Sequence, residues 1–316
     1  MAENMRAWRI CYLLRRINLL LILATNFFAS EARKIPVGGQ AVIEGVLMKG
    51  ENLWGLAVRK QSGEIFTDNW ANKSRTKKLP WKLPFLRGIV IMCEMMAVGF
   101  RALSKSAEVA LEETDEEMTL KDIILAVITA IVAVGGLFIA LPLWISGKLG
   151  LTAIYANIFE GILRAVIFIG YVAIIGMWSD IKQVFRYHGA EHKTINAFES
   201  NLEMTPENIM KCSRIHPRCG TSFMLIAVIV SIIVFSPVKI LVAGNFLLQV
   251  LARIILIPLV IGVSYEIIRL AANSGVIGRC IISPFLTLQY LTTREPDINQ
   301  AEVALVSLRV AMQGGI

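Results

Sequence analysis

The sequence predicts a mainly α-helical integral membrane protein: four transmembrane helices carrying a small cytoplasmic α+β portion. Three observations predict it. The 316-residue chain is 55% hydrophobic, with a mean hydropathy of +0.62, too apolar for an ordinary soluble domain. Four apolar stretches, Ile123–Ile145, Ile158–Trp178, Phe223–Val238 and Leu251–Leu270, approach or exceed the ~20 helical residues that cross a bilayer. Lys and Arg are dense in alternate loops only, which is how a polytopic protein marks its cytoplasmic side.

The charge pattern orients the chain. Residues 59–105 and the loop from Lys182 to Arg218 are rich in Lys and Arg, whereas the loop after span one holds only Lys148 and that after span three only Lys239, with Arg253 at its edge. Both termini and the loop after span two are therefore expected in the cytoplasm, the protein being multi-pass. The net charge of +8 follows from this bias and from attraction to anionic lipid, with no specific nucleic-acid partner implied. The lipid bilayer is the partner expected, along with another membrane protein; oligomeric state is left open. Cys11, Cys93, Cys212, Cys219 and Cys280 are scattered and mostly on the cytoplasmic side, which argues against a disulfide framework.

Residues 1–34 form a basic, apolar extension. Arg6, Arg9, Arg15 and Arg16 precede Ile17–Phe28, a pattern like a signal peptide, although the Lys/Arg bias favours an uncleaved anchoring segment. Residues 35–118 read as a β-rich unit plus an amphipathic helix. Strands are expected at Ala41–Met48, Trp54–Arg59 and Ile65–Thr67, with a turn at Gln61–Glu64, and the helix at Ile89–Ala110. An acidic run, Glu112 to Glu117, follows. Residues 119–272 are the membrane domain, with a histidine loop at 179–222. Residues 273–316 return to the cytoplasm: Asn273–Gln289 reads as interfacial, and Asp297 with Gln300 as a capping box opening a helix to about Met312. No phosphate-loop motif G-x-x-x-x-G-K-[ST] occurs.

Chemistry concentrates in the histidine loop. All three histidines lie there, in His188-Gly-Ala-Glu-His192 and His216-Pro-Arg-Cys219. Ile181–Glu199 has helical periodicity: Ile181, Val184, Phe185, His188, Glu191, His192, Ile195 and Phe198 share one face, and Lys182, Arg186 and Lys193 the opposite one. Three polar groups on an apolar face need partners. Two histidines four apart can share a divalent metal such as zinc, and Glu191 is then placed as general base, as in the H-x-x-E-H zinc-peptidase pattern. A third ligand is needed, and His216, Cys219 and Glu266 are the candidates. Cys219 precedes span three, where a helix N-terminus favours an anionic ligand. Glu266 is an acidic residue near the end of span four. The alternative is a purely structural network in which the histidines pair with Glu191, Glu199 or Glu266. Glu160 and Arg164, four apart in span two, are expected to pair with each other.

Four blocks carry a family resemblance: Gly38-Gly39-Gln40-Ala41-Val42-Ile43-Glu44-Gly45-Val46, Tyr187 to Thr194, His216 to Phe223 and Leu291-Thr292-Thr293-Arg294-Glu295-Pro296. Together they resemble the YqhQ-like family of bacterial integral membrane proteins over residues 35 to 310, the first 30 residues being an addition to its pattern. The resemblance implies a domain of unknown function whose members have been taken for metal-dependent enzymes. It also implies that the blocks converge at the cytoplasmic membrane face, making Gln40, Glu44, Arg218, Arg294 and Glu295 supporting or substrate-contacting groups. The resulting expectation is a metal-dependent hydrolase, of peptides or of a lipid headgroup or phosphoester. Its rival is a non-enzymatic scaffold or biogenesis factor binding a membrane complex or anionic lipid.

Overall fold

Alternating apolar and polar residues between Gly38 and Ala71 form an antiparallel meander in the computed structural model, which describes residues 37–77, 79–111, 120–242, 244–274, 278 and 283–313. Its strands are β1 (Gly38–Val42), β2 (Gly45–Lys49), β3 (Leu53–Arg59) and β4 (Ile65–Ala71), paired in that order. The run expected as one strand, Ala41–Met48, is two. Val42 pairs with Gly45 across a two-residue turn in which Glu44 takes a left-handed φ of 47°. No Asn-Gly or Asp-Gly pair signals this turn. The Glu44 carbonyl accepts the Arg59 N–H at 2.8 Å, tying the turn to β3.

Side-chain alternation gives the sheet two apolar faces. Val42, Leu47, Trp54, Leu56 and Val58 pack against Ala102, Val109 and Ala110 of helix α1 (Leu86–Leu111). Val46, Met48 and Ala57 pack the other way, against Tyr187, Ala190, Ile195, Val303, Ala304 and Leu308. The sheet is thus sandwiched between one helix and two.

The next helices form the membrane part. α2 (Leu120–Gly135), a π-helical turn at Gly136–Ala140 and α3 (Leu141–Lys148) run on as one span. The others are α4 (Ala153–Ile175), α7 (Gly220–Leu241) and α8 (Phe246–Asn273). All four spans are long and apolar enough to cross a membrane, and little of their surface is covered by protein. Ile131, Val166, Ile233 and Ile255 are among the large apolar side chains left facing outward. A bilayer is the environment that accepts such a surface, so this is a membrane protein in contact with lipid.

Three span boundaries differ from expectation. α4 starts before Ile158 and ends at Ile175, with Trp178 serving as N-cap of the following helix. α8 begins at Phe246, where the Asn245 side chain accepts the Leu248 N–H. α7 continues through Pro237 to Leu241. Proline removes one helical N–H without ending a helix whose neighbours support the turn.

Between spans two and three lie α5 (Ser179–Glu199) and the short α6 (Pro206–Met210); after span four come α9 (Gln289–Thr292) and α10 (Ile298–Ala311). α10 opens with the expected capping box. It lies across β2, β3 and α5 rather than standing apart as a tail. The basic extension at 1–34, the acidic run at 112–117 and, within the interfacial stretch, residues 275–277 and 279–282 lie outside the described residues.

Candidate metal centre

α5 positions the site. From Tyr187 to Ala197 it is enclosed by the sheet, α10, the α6 hairpin and the 289–296 segment, and buried almost all round. The expected apolar face is confirmed for Glu191, His192 and Ile195, but Lys193, expected on a solvated face, is buried too. Its ammonium donates to the carbonyls of Met210 at 2.9 Å and Cys212 at 2.8 Å and meets Glu295 at 3.0 Å. Periodicity registers a residue's apolarity, and a lysine with three oxygen partners reads as exposed.

His188, His192 and Cys219 converge, with one ligand atom from each lying within 4.8 Å of the others. The His188 and His192 rings are 4.5 Å apart, centroid to centroid. The Cys219 sulfur is 3.4 Å from His188 Nε2 and 3.2 Å from Thr221 Oγ1. Cys219 is buried and is the N-cap of α7. Both imidazoles are held from behind: His188 Nδ1 lies 2.8 Å from the Thr292 carbonyl and His192 Nδ1 2.6 Å from the Arg214 carbonyl. A carbonyl only accepts, so each Nδ1 carries the proton and each Nε2 keeps its lone pair. That is the tautomer and the outer support a metal-ligating histidine requires.

Glu191 sits beside this group, Oε2 3.9 Å from His188 Nε2. Burial pushes its carboxyl up to about 7, against a smaller opposing effect of His188. Its room comes from β1: a Cβ on Gly39 would lie 2.8 Å from Glu191 Cγ and 2.9 Å from Oε1. Gly189 serves the opposite side, since a Cβ there would stand 2.0 Å from the Arg294 carbonyl oxygen. The glycines of two sequence blocks thus let the β1 strand and the 292–296 segment reach α5.

His216 is not brought into the ligand group. Its Nδ1 accepts the Arg218 N–H at 3.3 Å, which leaves the proton on Nε2, 3.5 Å from Glu199 Oε2. That contact is too long to be a good hydrogen bond, and the buried Nε2 is left without a hydrogen-bonded partner. Burial holds the His216 imidazole below its ordinary range, assisted by Arg218 and opposed by Glu199. For Glu199 burial acts upward, but His216 and Arg218 outweigh it and hold the carboxyl low. His216 supports the site from outside, its ring 5.8 Å from that of His192.

Glu266 also stands apart. Arg87, at the start of α1, occupies both its carboxylate oxygens, with Nε–Oε1 at 2.6 Å. Nothing local in the sequence points to Arg87, because the pair joins residues far apart in the chain. Gln40 faces the other side of the sheet, its amide against Gly99 of α1. Glu44 accepts from Tyr187 Oη at 3.1 Å and Gln183 Nε2 at 3.4 Å. Arg218 pairs with Glu199 and donates to the Val37 carbonyl at 3.2 Å. Arg294 donates to the Gly176 carbonyl at 3.0 Å, at the end of α4, and Glu295 bridges Lys193 and Arg214. These five therefore brace the elements around the site.

Sequence reasoning passed over Gln289. This fully buried residue accepts the His216 N–H at 2.8 Å and donates to the His216 carbonyl at 2.7 Å and Ser222 Oγ at 3.2 Å. It holds the His216–Cys219 turn against α9, and an amide inside the apolar run Phe285–Leu291 is the signal that could have found it. Cys212 takes no part in the ligand group.

Residues 83–314 match the family described as "Protein of unknown function (DUF1385)". The Gly38–Val46 block lies ahead of that match. "Uncharacterized protein YqhQ" of Bacillus subtilis (strain 168) is 35% identical over 296 residues, covering 87% of this chain and 92% of its own. No solved structure matches the chain. A family match spanning most of the sequence, with a relative alike over nearly its whole length, places the chain in the DUF1385, YqhQ-like family of unknown function.

Proposed function

We propose that the protein is a metal-dependent hydrolase whose site faces the cytoplasm at the membrane surface. One observation carries this reading: two imidazoles and a thiol sulfur converge while both Nδ1 atoms are tied to backbone carbonyls, which leaves the Nε2 atoms as the ligands. Two nitrogens and a sulfur suit zinc. Structural zinc sites take four protein ligands, whereas three with an open position are the catalytic pattern. The His188, His192 and Cys219 set has three among the described residues. A zinc ion held there supplies Lewis acidity toward a carbonyl or phosphoryl oxygen.

The protein's own groups do the rest. Thr292 and Arg214 fix the imidazole tautomers, and Glu191, beside the open side of His188, takes up and returns the proton of the attacking water. Gly39 walls the carboxylate on the sheet side, and burial keeps it dry. α5 leaves span two and Cys219 begins span three, so the site lies where the spans meet the sheet-bearing unit, at the level of the lipid interface. A membrane-embedded peptide or a lipid headgroup ester fits that location.

Elemental analysis of purified protein tests the reading. Wild type is expected to hold one zinc per chain, and His188→Ala/His192→Ala none. Glu191→Gln and Glu266→Gln should keep the metal, the first losing activity. A wild type without stoichiometric metal, even after reconstitution with zinc, overturns it. Full biological function in Glu191→Gln favours the scaffold reading instead.

A further inference from the structure

The far end of the helical bundle, opposite the histidine site, holds a buried group of charges. Glu160 of α4 is at its centre. Its Oε2 accepts from Arg253 of α8 at 2.9 Å, and its Oε1 from Ser146 Oγ at 2.7 Å and Lys239 Nζ at 3.3 Å. Arg164 lies 3.8 Å away. It was expected to be the partner of Glu160, but it is the most distant of the three cations. Its Nη1 instead donates to Ser231 Oγ at 2.6 Å and its Nε to the Phe138 carbonyl at 2.8 Å. Pro142, four residues on, has no N–H to offer that carbonyl. The carbonyl falls in the π-helical turn of span one.

The charges do not balance. Three cations surround one carboxylate, and residues 123–175 and 220–265 contain no other Asp or Glu. Arg253 is fully buried and its Nε has no partner, as has Asn157 Oδ1 nearby in sequence to Glu160. Both guanidiniums also lie by one ring, Arg164 at 5.3 Å and Arg253 at 5.9 Å from the centre of Phe235. Buried like charges without compensation are disfavoured strongly, so intramembrane cations are found paired or bound to a ligand. We infer that this end of the bundle binds a phosphate group beside Arg253, Arg164 and Lys239, which supplies the missing negative charge.

Position argues for phosphate. Glu160 and Arg253 are each seven residues from the start of their helices, ~10 Å along the axis. Lys239 lies in the last turn of α7 and is the one cation of the group with appreciable exposure. It therefore links the buried guanidiniums to the zone of lipid phosphates just outside the hydrocarbon core. Guanidinium forks are matched to phosphate oxygens. The same chemistry is offered by an anionic lipid headgroup and by free phosphate.

Thermal unfolding of the delipidated full-length protein in detergent is the test, with phosphatidylglycerol, phosphatidylcholine or inorganic phosphate added at constant ionic strength. A midpoint raised by several degrees with phosphatidylglycerol alone assigns the site to a lipid headgroup. A rise with inorganic phosphate as well assigns it to the free ion. Lys239→Gln should weaken the apparent affinity about fivefold. Gln249→Glu places a second carboxylate beside Arg253, whose Nη1 already lies 3.4 Å from the Gln249 amide oxygen. This variant should be more stable without ligand and nearly indifferent to it; if it does not fold, Lys239→Gln decides. A wild type that responds to neither probe, or a response unchanged in both variants, overturns the inference.

Discussion

At the residue scale, the histidines divide by what holds their Nδ1 atoms. His188 and His192 give that proton to carbonyls and keep Nε2 available. His216 accepts at Nδ1 and turns a proton toward Glu199. The second arrangement predicts an acid-sensitive clamp. Burial holds the His216 imidazole below its ordinary value of 6.5, and His216 with Arg218 holds Glu199 below 4.5 against the upward pull of burial. In both cases the unfolded chain binds the proton more readily. The stability from His216 is therefore complete above 6.5 and lost as pH falls below it, and that from Glu199 is lost below 4.5. Burial raises Glu191 to about 7, so its titration favours folding as pH falls and opposes this decline. Thermal midpoints of the His188→Ala/Glu191→Gln/His192→Ala protein, which removes both that titration and metal release as causes, should be level near neutrality and fall on acidification. Glu199→Gln should lose the lower part of the decline. A midpoint that rises as pH drops from 6.5 would contradict the assigned protonation states.

At the element scale, α5 is the member on which everything else is mounted, and Gly189 is its closest contact with the 292–296 segment. Gly189→Ala forces a Cβ against the Arg294 carbonyl. The expected loss is about 1–3 kcal/mol of stability. Because Thr292 supports His188 from the same segment, zinc affinity should also fall ~10–100-fold. Gly38→Ala, with nothing near its Cβ, is the control; equal zinc affinities in the two variants would separate the segment from the site. α5 also shows how far a sequence can be read. The phase of His188, Glu191 and His192 was legible because apolar neighbours repeat with the helix. Lys193 was not, because its burial rests on carbonyls in the α6 hairpin. His188 and His192 were legible as members of one group, but that Cys219 rather than His216 or Glu266 joins them was not. It depends on Arg218, Glu199 and Arg87, partners that only tertiary packing supplies. The β1–β2 turn was missed because it uses Glu44 in a left-handed conformation instead of a glycine pair.

At the scale of the whole molecule, the chain has two unlike ends. One gathers the sheet, α1, α5 and α10 over the histidine site, with Lys182, Arg186, Lys211, Arg214 and Arg218 in the connection between spans two and three. At the other end, Lys239 and Arg253 lie within helices and engage Glu160, so they do not count as loop charges. Lys148, at the close of α3, is then the one basic residue bordering the described far-end loops. The asymmetry that orients membrane proteins is thus sharper in the fold than in the sequence, where Lys239 read as a loop residue. It predicts the sheet-bearing end in the cytoplasm and the 149–152 loop outside. Alkaline phosphatase, active only after export, should report activity when inserted at 149–152 and none when fused after Met312. Green fluorescent protein at Met312 should fluoresce. The reverse pattern would put the histidine site outside the cell, where its thiol would meet oxidising conditions, and would remove the cytoplasmic substrate from the proposed function while leaving the metal site itself intact.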